Sequence, residues 1–140
     1  MKKRLLAAAM AFIVIVSSTV AYAAERRASD YLAGYGIYLV AEGNGVMRTR
    51  FDVDGTGMMT KIGAQALFIE YKDGNDWKPY ETKYGALNPD FYGYNTVGYA
   101  GYAYFNGTPG VEYRVTLQAY AGNSTGSDTG TITSFPETCK

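Results

Sequence analysis

Two aspartates on one short strand, Asp52 and Asp54, have the types and spacing that could do chemistry in this 140-residue chain. Paired carboxylates can hydrolyse a glycoside, and their oxygens suit calcium. The segment DVDGTG that begins at Asp52 has aspartates at positions one and three and a glycine at position six, as a calcium loop requires. Position twelve is Gly63 instead of the bidentate glutamate, so an Asp-Gly turn is the better interpretation. Asp52 and Asp54 are kept as candidate calcium ligands of a looser site at a sandwich edge, second to that turn.

Other common catalytic groups are missing from the sequence. The chain contains no histidine, which removes the usual general base, the Ser-His triad and most zinc sites. The single cysteine, Cys139, has no histidine to activate it, and a lone cysteine can form no intramolecular disulfide. The sequence therefore predicts a protein that is not an enzyme and that uses no cofactor.

The tyrosine-rich segment YGYNTVGYAGYAYF, residues 92–105, is the second candidate site. Tyr, Phe and Val favour half-buried strands, so packing alone is one interpretation. The nine tyrosines between Tyr80 and Tyr120 are more than one small core can bury, however, and tyrosine suits contact surfaces. The pattern favours a module that binds an extracellular glycan or protein through Tyr92, Tyr94, Tyr102 and Tyr104. The alternative is an accessory or structural protein of the cell envelope, or a secreted signal, with no small-molecule site.

Residues 1–23 have the order of a secretory signal peptide. A cationic start, MKKR, precedes the apolar run LLAAAMAFIVIV and the small and polar residues SSTVAYAA. Ala21 and Ala23 fit the small-x-small cleavage rule, which predicts that the mature secreted chain begins at Ala24. The apolar run is short of the about 20 residues that span a bilayer, so an uncleaved anchor is the less favoured alternative.

Loss of the signal peptide changes the charge balance. The whole chain has 13 basic and 13 acidic residues, and cleavage removes Lys2, Lys3 and Arg4. The mature chain is therefore net negative and has no basic surface for nucleic acid or an anionic membrane, so no nucleic-acid partner is expected. No stable membrane insertion is expected once the signal peptide is cleaved.

The chain after Arg27 alternates apolar and polar residues with period 2, as β-strands do. In VMRTRFDV, for example, Met47, Thr49, Phe51 and Val53 share one face. Turn sequences separate the runs at residues 42–45, 54–57, 72–76, 106–110 and 121–130, and a last strand is expected at 131–135. About seven short strands predict an all-β fold with one antiparallel sandwich. The expected division is a signal peptide at 1–23, an arm at 24–32, the sandwich at 33–136 and a tail at 137–140.

The segment TPGVEYRVTLQAYAGNSTG, residues 108–126, resembles the late strands of fibronectin type III and related immunoglobulin-like domains. The resemblance implies that Tyr113, four residues after Pro109, is a corner tyrosine whose hydroxyl bonds the upstream backbone. The usual leucine before the Pro-Gly turn is missing, and Gly107 takes its place.

The region from Ala28 to Trp77 is similar to a family of short secreted bacterial proteins, of Gram-positive type and unknown function. The similarity rests on ASDYLAGYG, GNG, FDVDGTGMMTKIGAQ and DGNDW, in that order. It implies secretion and a sandwich fold, and it implies no activity.

Overall fold

The computed structural model describes residues 29–140, so the predicted signal peptide and its cleavage site lie outside the described residues. This part of the chain is an all-β structure, as predicted. Its strands are β1 Leu32–Gly43, β2 Val46–Asp73, β3 Asp76–Tyr84, β4 Tyr92–Asn106, β5 Glu112–Asn123, β6 Gly126–Thr133 and β7 Glu137–Thr138. Two short 3-10 helices, Gly85–Leu87 and Pro89–Phe91, connect β3 to β4.

The 28-residue strand β2 organises the sheet. Its first half has β1 on one side and β4 on the other, and its second half lies between β5 and β3. The strands β6 and β7 both pair with β5, and every pairing is antiparallel. The sheet curls, because β1 contacts β5 and β6 without pairing with either. A sandwich of two separate sheets is not confirmed, since β2 passes unbroken from one half to the other.

The turn predicted at residues 54–57 is wrong, because β2 continues through it. Gly55 and Gly57 do not have the positive φ that a tight Asp-Gly hairpin turn requires. The backbone N–H of Thr56 instead donates to the carbonyl oxygen of Tyr31 at 3.0 Å. The residues of β2 between Asp54 and Met59 have no partners on β4, so the register between the two strands shifts there. The two runs predicted as separate strands are therefore one strand.

Other turns lie where the sequence predicts them. The β1–β2 turn has positive φ at Gly43, Asn44 and Gly45, and the β2–β3 turn has it at Gly74. The last long strand differs, since β6 begins at Gly126 and not at residue 131. Its turn is short because the Asn123 side chain accepts a hydrogen bond from the Thr125 N–H at 2.9 Å.

The C-terminal residues 137–140, expected as a tail, are part of the fold. Glu137 and Thr138 form β7, and Cys139 is buried. The N–H of Cys139 donates to the carbonyl oxygen of Val111 at 2.9 Å. The carbonyl oxygen of Lys140 accepts from the Gly45 N–H at 2.8 Å, which ties the chain end to the β1–β2 turn.

The core lies between the two halves of the curled sheet, and the predicted alternation along β2 is confirmed. Met47, Thr49, Phe51 and Val53 are buried from the first half. The second half contributes Ile62, Ala64, Leu67, Ile69, Tyr113, Val115, Leu117 and Ala119, with Leu32, Phe91, Phe105 and Ile132 around them. The opposite face of each half is left to solvent.

Thr49 is a polar residue in this core, and its replacement by valine should stabilise the fold. The residue is 1% exposed, and its Oγ1 has no hydrogen-bond partner among the described residues. Valine has nearly the same shape without the buried hydroxyl, so Thr49→Val should raise the free energy of unfolding by about 1 kcal/mol. Urea denaturation measures the change. The matched control, Thr49→Ser, keeps the hydroxyl and loses a methyl group, so it should destabilise; a loss of stability in Thr49→Val would contradict this account.

Candidate binding surface

The outer face of β1, the first half of β2 and the C-terminal half of β4 is a regular three-strand array. Its side chains alternate with the buried ones and are brought into line by the antiparallel register. We call this array the Tyr38 face. Its four rows, each ordered β1/β2/β4, are Val40/Arg48/Tyr104, Tyr38/Arg50/Tyr102, Gly36/Asp52/Ala100 and Gly34/Asp54/Gly98.

In the two outer columns of the Tyr38 face, on β1 and β4, the side chains are large at one end and small at the other. Tyr38, Tyr102 and Tyr104 are 54%, 51% and 56% exposed. The next two rows carry only glycine and alanine on β1 and β4. A Cβ added at Gly34 would have no heavy atom within 4 Å, so the space above this residue is open. The Asp52 and Asp54 carboxylates lie over Gly36 and Gly98, with an oxygen 3.2 Å and 2.9 Å from where a Cβ would be. The face therefore has a raised aromatic half and a lower half that is open above Gly34.

The central column of the face is charged, with two arginines followed by two aspartates. Successive outward residues on a strand are about 6.6 Å apart, so the four charges span about 20 Å. The Arg48 guanidinium Cζ lies 5.8 Å from the Tyr102 ring centroid, and that of Arg50 lies 5.9 Å from the Tyr38 centroid. Each contact is a cation–π geometry worth about 0.5–1 kcal/mol at an exposed site. The arginines therefore contribute weakly to the positions of the neighbouring tyrosine rings.

The aspartates differ from one another in their surroundings. Burial raises the pKa of Asp52 above its ordinary value, and Arg50 opposes that shift while Asp54 adds to it. Within residues 29–140, no three His, Cys, Asp or Glu side chains come together as a metal site. Asp52 and Asp54 are thus neighbours on an open strand face without a third acidic ligand from the described chain.

The four tyrosines predicted as one site fall into two groups along β4. Tyr102 and Tyr104 belong to the Tyr38 face. Tyr92 and Tyr94 pair with Gly63 and Lys61 instead, beyond a bend in β4 where Asn95 has a positive φ of 50°. There the Lys61 Nζ sits 4.1 Å from the Tyr92 ring centroid and 5.9 Å from that of Tyr120. In the structure, Tyr92 and Tyr94 therefore have different neighbours from Tyr102 and Tyr104.

Tyr38 and the register across the sheet are what sequence reasoning missed. The alternation of β2 already placed Arg48 and Arg50 outward. The sequence of β1, LAGYGIYLVAEG, has the same period-2 pattern and puts Tyr38 on the polar side. That pattern was the available signal, but the neighbours of Tyr38 depend on strand pairing.

The outer face of the second half of the sheet is different in character. Trp77 lies there with the Arg114 Cζ 4.4 Å from its ring centroid. The Arg114 Nε also lies 2.9 Å from the Glu70 carboxylate, and Lys72 lies 4.0 Å from Glu112. The charges of this face, which we call the Trp77 face, are thus paired within the chain. On the Tyr38 face, the Arg48 Nε lies 2.8 Å from the Glu42 carboxylate, while Arg50, Asp52 and Asp54 have no ion pair with any other described residue.

The two residues named as structural, Tyr113 and Pro109, lie at the β4–β5 connection. Tyr113 is buried, and its hydroxyl accepts a hydrogen bond from the Thr108 N–H at 2.8 Å. The ring packs edge-on against Tyr80 and Phe105, with centroids 5.1 and 5.4 Å away. Pro109 is exposed in the loop that this hydrogen bond closes.

Comparisons with known proteins do not assign this chain to a family. No protein-family model matches the chain, and no curated protein matches it. A solved structure titled "Crystal Structure of FN3tt" is similar at 15% identity, over 79% of this chain and 94% of that one, with a TM-score of 0.31. A likeness at that level assigns neither a family nor a function. Across the described residues, no helix has the length and apolar character to cross a membrane.

Proposed function

We propose that this protein is a secreted, non-catalytic binding module whose contact surface is the Tyr38 face. The observation that carries the proposal is the set of three half-exposed tyrosines in two adjacent rows, beside two arginines. Tyrosine and arginine are the residues most enriched at protein interfaces and their hot spots. Tyrosine also adds large contact area at low conformational-entropy cost. We propose further that the curled sheet is a variant of the immunoglobulin-like sandwich, which the Tyr113–Thr108 hydrogen bond supports.

The charges of the Tyr38 face favour a protein over a glycan as the partner. A neutral glycan needs aromatic rings and a few polar groups, but it offers no match for a column of two positive and two negative side chains. A protein surface can present fixed charges in the opposite order, which improves both specificity and the association rate. Binding of a glycan instead of a protein is one possible outcome of the experiment described next.

Replacing the three tyrosines of the Tyr38 face should abolish binding. The change is Tyr38→Ser, Tyr102→Ser and Tyr104→Ser in one variant, tested by its capture of its own tagged copies and of proteins from medium and cell-surface extracts. Loss of three central aromatic contacts should weaken binding at least about 100-fold. The matched control, Tyr84→Ser with Tyr94→Ser, removes two tyrosines that are 51% and 59% exposed elsewhere and should change binding less than about twofold.

Circular dichroism of both variants verifies that they fold. Equal losses in the two variants would contradict the assignment of this face. A third outcome would identify a glycan as the partner instead of a protein. In that case wild type binds a glycan on an array, the triple variant does not, and wild type captures no protein.

A further inference from the structure

We propose that the partner of the Tyr38 face is a second copy of this chain, bound face to face about a two-fold axis. This inference rests on the proposed function, and it names the partner. The axis lies in the interface, perpendicular to β2, and passes between the row of Arg50 and the row of Asp52. Strands of the two copies then run antiparallel in sheets packed about 10 Å apart, as in aligned sheet packing.

Charge is the first argument for a second copy. Rotation about this axis reverses the order of the rows while each strand faces the same strand of its partner. Arg48 is placed over the partner's Asp54, and Arg50 over the partner's Asp52. Because the rotation is symmetric, each pair occurs twice, and four opposite-charge pairs form along the centre of the interface. Arg50, Asp52 and Asp54 have no ion pair within the described chain that would have to break. Arg48 is already paired with Glu42 at 2.8 Å, and it would share or exchange that partner in the dimer.

Shape is the second and independent argument, because the same rotation places each large side chain over a small one. On β4, Tyr104 faces the partner's Gly98, and Tyr102 faces the partner's Ala100. On β1, Tyr38 faces the partner's Gly36, and Val40 faces the partner's Gly34. The raised half of each copy therefore meets the low half of the other. Val40 meets the open space above Gly34, while Tyr38 and Tyr104 meet the Asp52 and Asp54 carboxylates that lie over Gly36 and Gly98.

Charge also disfavours a dimer in which the two copies are shifted along the strand. A shift of one row along the strand would place Arg48 over the partner's Asp52 but Arg50 over the partner's Arg50, which juxtaposes like charges. An isologous two-fold contact uses the same patch on both subunits and closes on itself, so the product is a dimer and not a filament.

The interface is small, and the dimer should be correspondingly weak. Four rows and three strands cover a patch of about 20 Å by 15 Å, from the strand rise and spacing, which is below the size of stable interfaces. We therefore expect a dissociation constant in the range of about 1–100 µM, and one that rises with salt because opposite charges supply the specificity.

Charge exchange between copies tests the pairing directly. One variant carries Arg48→Asp and Arg50→Asp, so its central column is all negative. The other carries Asp52→Arg and Asp54→Arg, so its column is all positive. Sedimentation velocity over a concentration series should show wild type dimerising and each variant alone at least about 100-fold weaker, because every pair is then a like-charge pair. In the equimolar mixture the two variants should dimerise with each other, because every pair across the axis then has opposite charges again.

A steric variant keeps the test decisive if a charge variant fails to fold. Gly34→Tyr places a ring in space that is open in the single chain but occupied by the partner's Val40 in the dimer. It should fold as wild type by circular dichroism and thermal unfolding, and dimerise at least about tenfold less. A Gly34→Tyr protein that folds and dimerises like wild type would overturn the pairing.

The outcomes separate this inference from the proposed function. Dimerisation of the mixture but of neither charge variant alone supports the second copy as partner. A monomeric wild type at every concentration, or a mixture that stays monomeric, overturns it. If the Tyr38 face then still captures another protein, with loss in the tyrosine variant, the proposed function stands and only the partner is wrong. Absence of both self-association and capture overturns both.

Discussion

Replacing Gly63 by alanine is expected to be among the most damaging single changes in this protein. Gly63 lies where β2 passes from one half of the sheet to the other, paired with Tyr92 on one side and Tyr120 on the other. Its φ is +151°, which side chains of L-residues rarely adopt. A Cβ here would lie 3.0 Å from the carbonyl carbon of Phe91 and the Cα of Tyr92, and closer still to the Phe91 oxygen.

Those atoms are backbone, so they cannot rotate away from the new methyl group. Backbone strain and overpacking each cost about 1–3 kcal/mol, so Gly63→Ala should lower the free energy of unfolding by about 3 kcal/mol or more. Urea denaturation measures the change, with Gly34→Ala as the matched control. Gly34 has open space around it and no positive φ, and its substitution should change stability by less than about 0.5 kcal/mol. A near-neutral Gly63→Ala would contradict the description of this crossing point.

Truncation of Phe51 is expected to have the largest effect in the core. The residue is fully buried at the centre of the first half of β2. Its ring contacts Phe91 edge-on at 5.5 Å and Tyr99 at 6.2 Å between centroids. Phe51→Ala should cost about 3–5 kcal/mol, while the control Phe51→Leu, which keeps most of the volume, should cost under about 2 kcal/mol.

A double-mutant cycle with Gly101 checks the cause of that loss. The tip of the Phe51 ring lies against Gly101, where a Cβ would be 2.5 Å from the ring Cζ. Gly101→Ala should therefore destabilise the wild type, yet cost at least about 1 kcal/mol less once Phe51 is alanine. Additive effects of the two substitutions would show that the ring does not occupy the space above Gly101.

The sequence predicts which side of β2 faces the core, and the structure agrees. Period-2 alternation decides it, because Phe51 and Val53 cannot be exposed without losing most of the burial that drives folding. The strand's length was not predictable from the same signals. Asp54 and Gly55 form a turn only if the chain reverses there, and hydrogen bonding of Thr56 to Tyr31 keeps the segment extended. Tertiary pairing thus overrode a local turn preference.

The candidate surface was predictable only in part for a related reason. Alternation alone places Arg50 and Tyr102 on outward faces of their own strands. It does not show that Tyr38, Arg50 and Tyr102 form one row, because register between distant strands depends on pairings that close long loops. It likewise does not show that Tyr94 pairs with Lys61 while Tyr102 pairs with Arg50. The set of side chains that meet on this surface is therefore decided by the strand register and not by the tyrosine-rich segment alone.

The most direct test of the central claim, that the Tyr38 face is the contact surface, is a concentration series of two-dimensional NMR spectra of isotope-labelled protein. We predict that shift changes on self-association concentrate on the outward residues of that face, such as Tyr38, Arg50 and Ala100. The indole N–H of Trp77, the single tryptophan of the chain, reports on the other outer face and should not move. Shift changes centred on Trp77 and Arg114, with Tyr38 and Ala100 unmoved, would contradict the account.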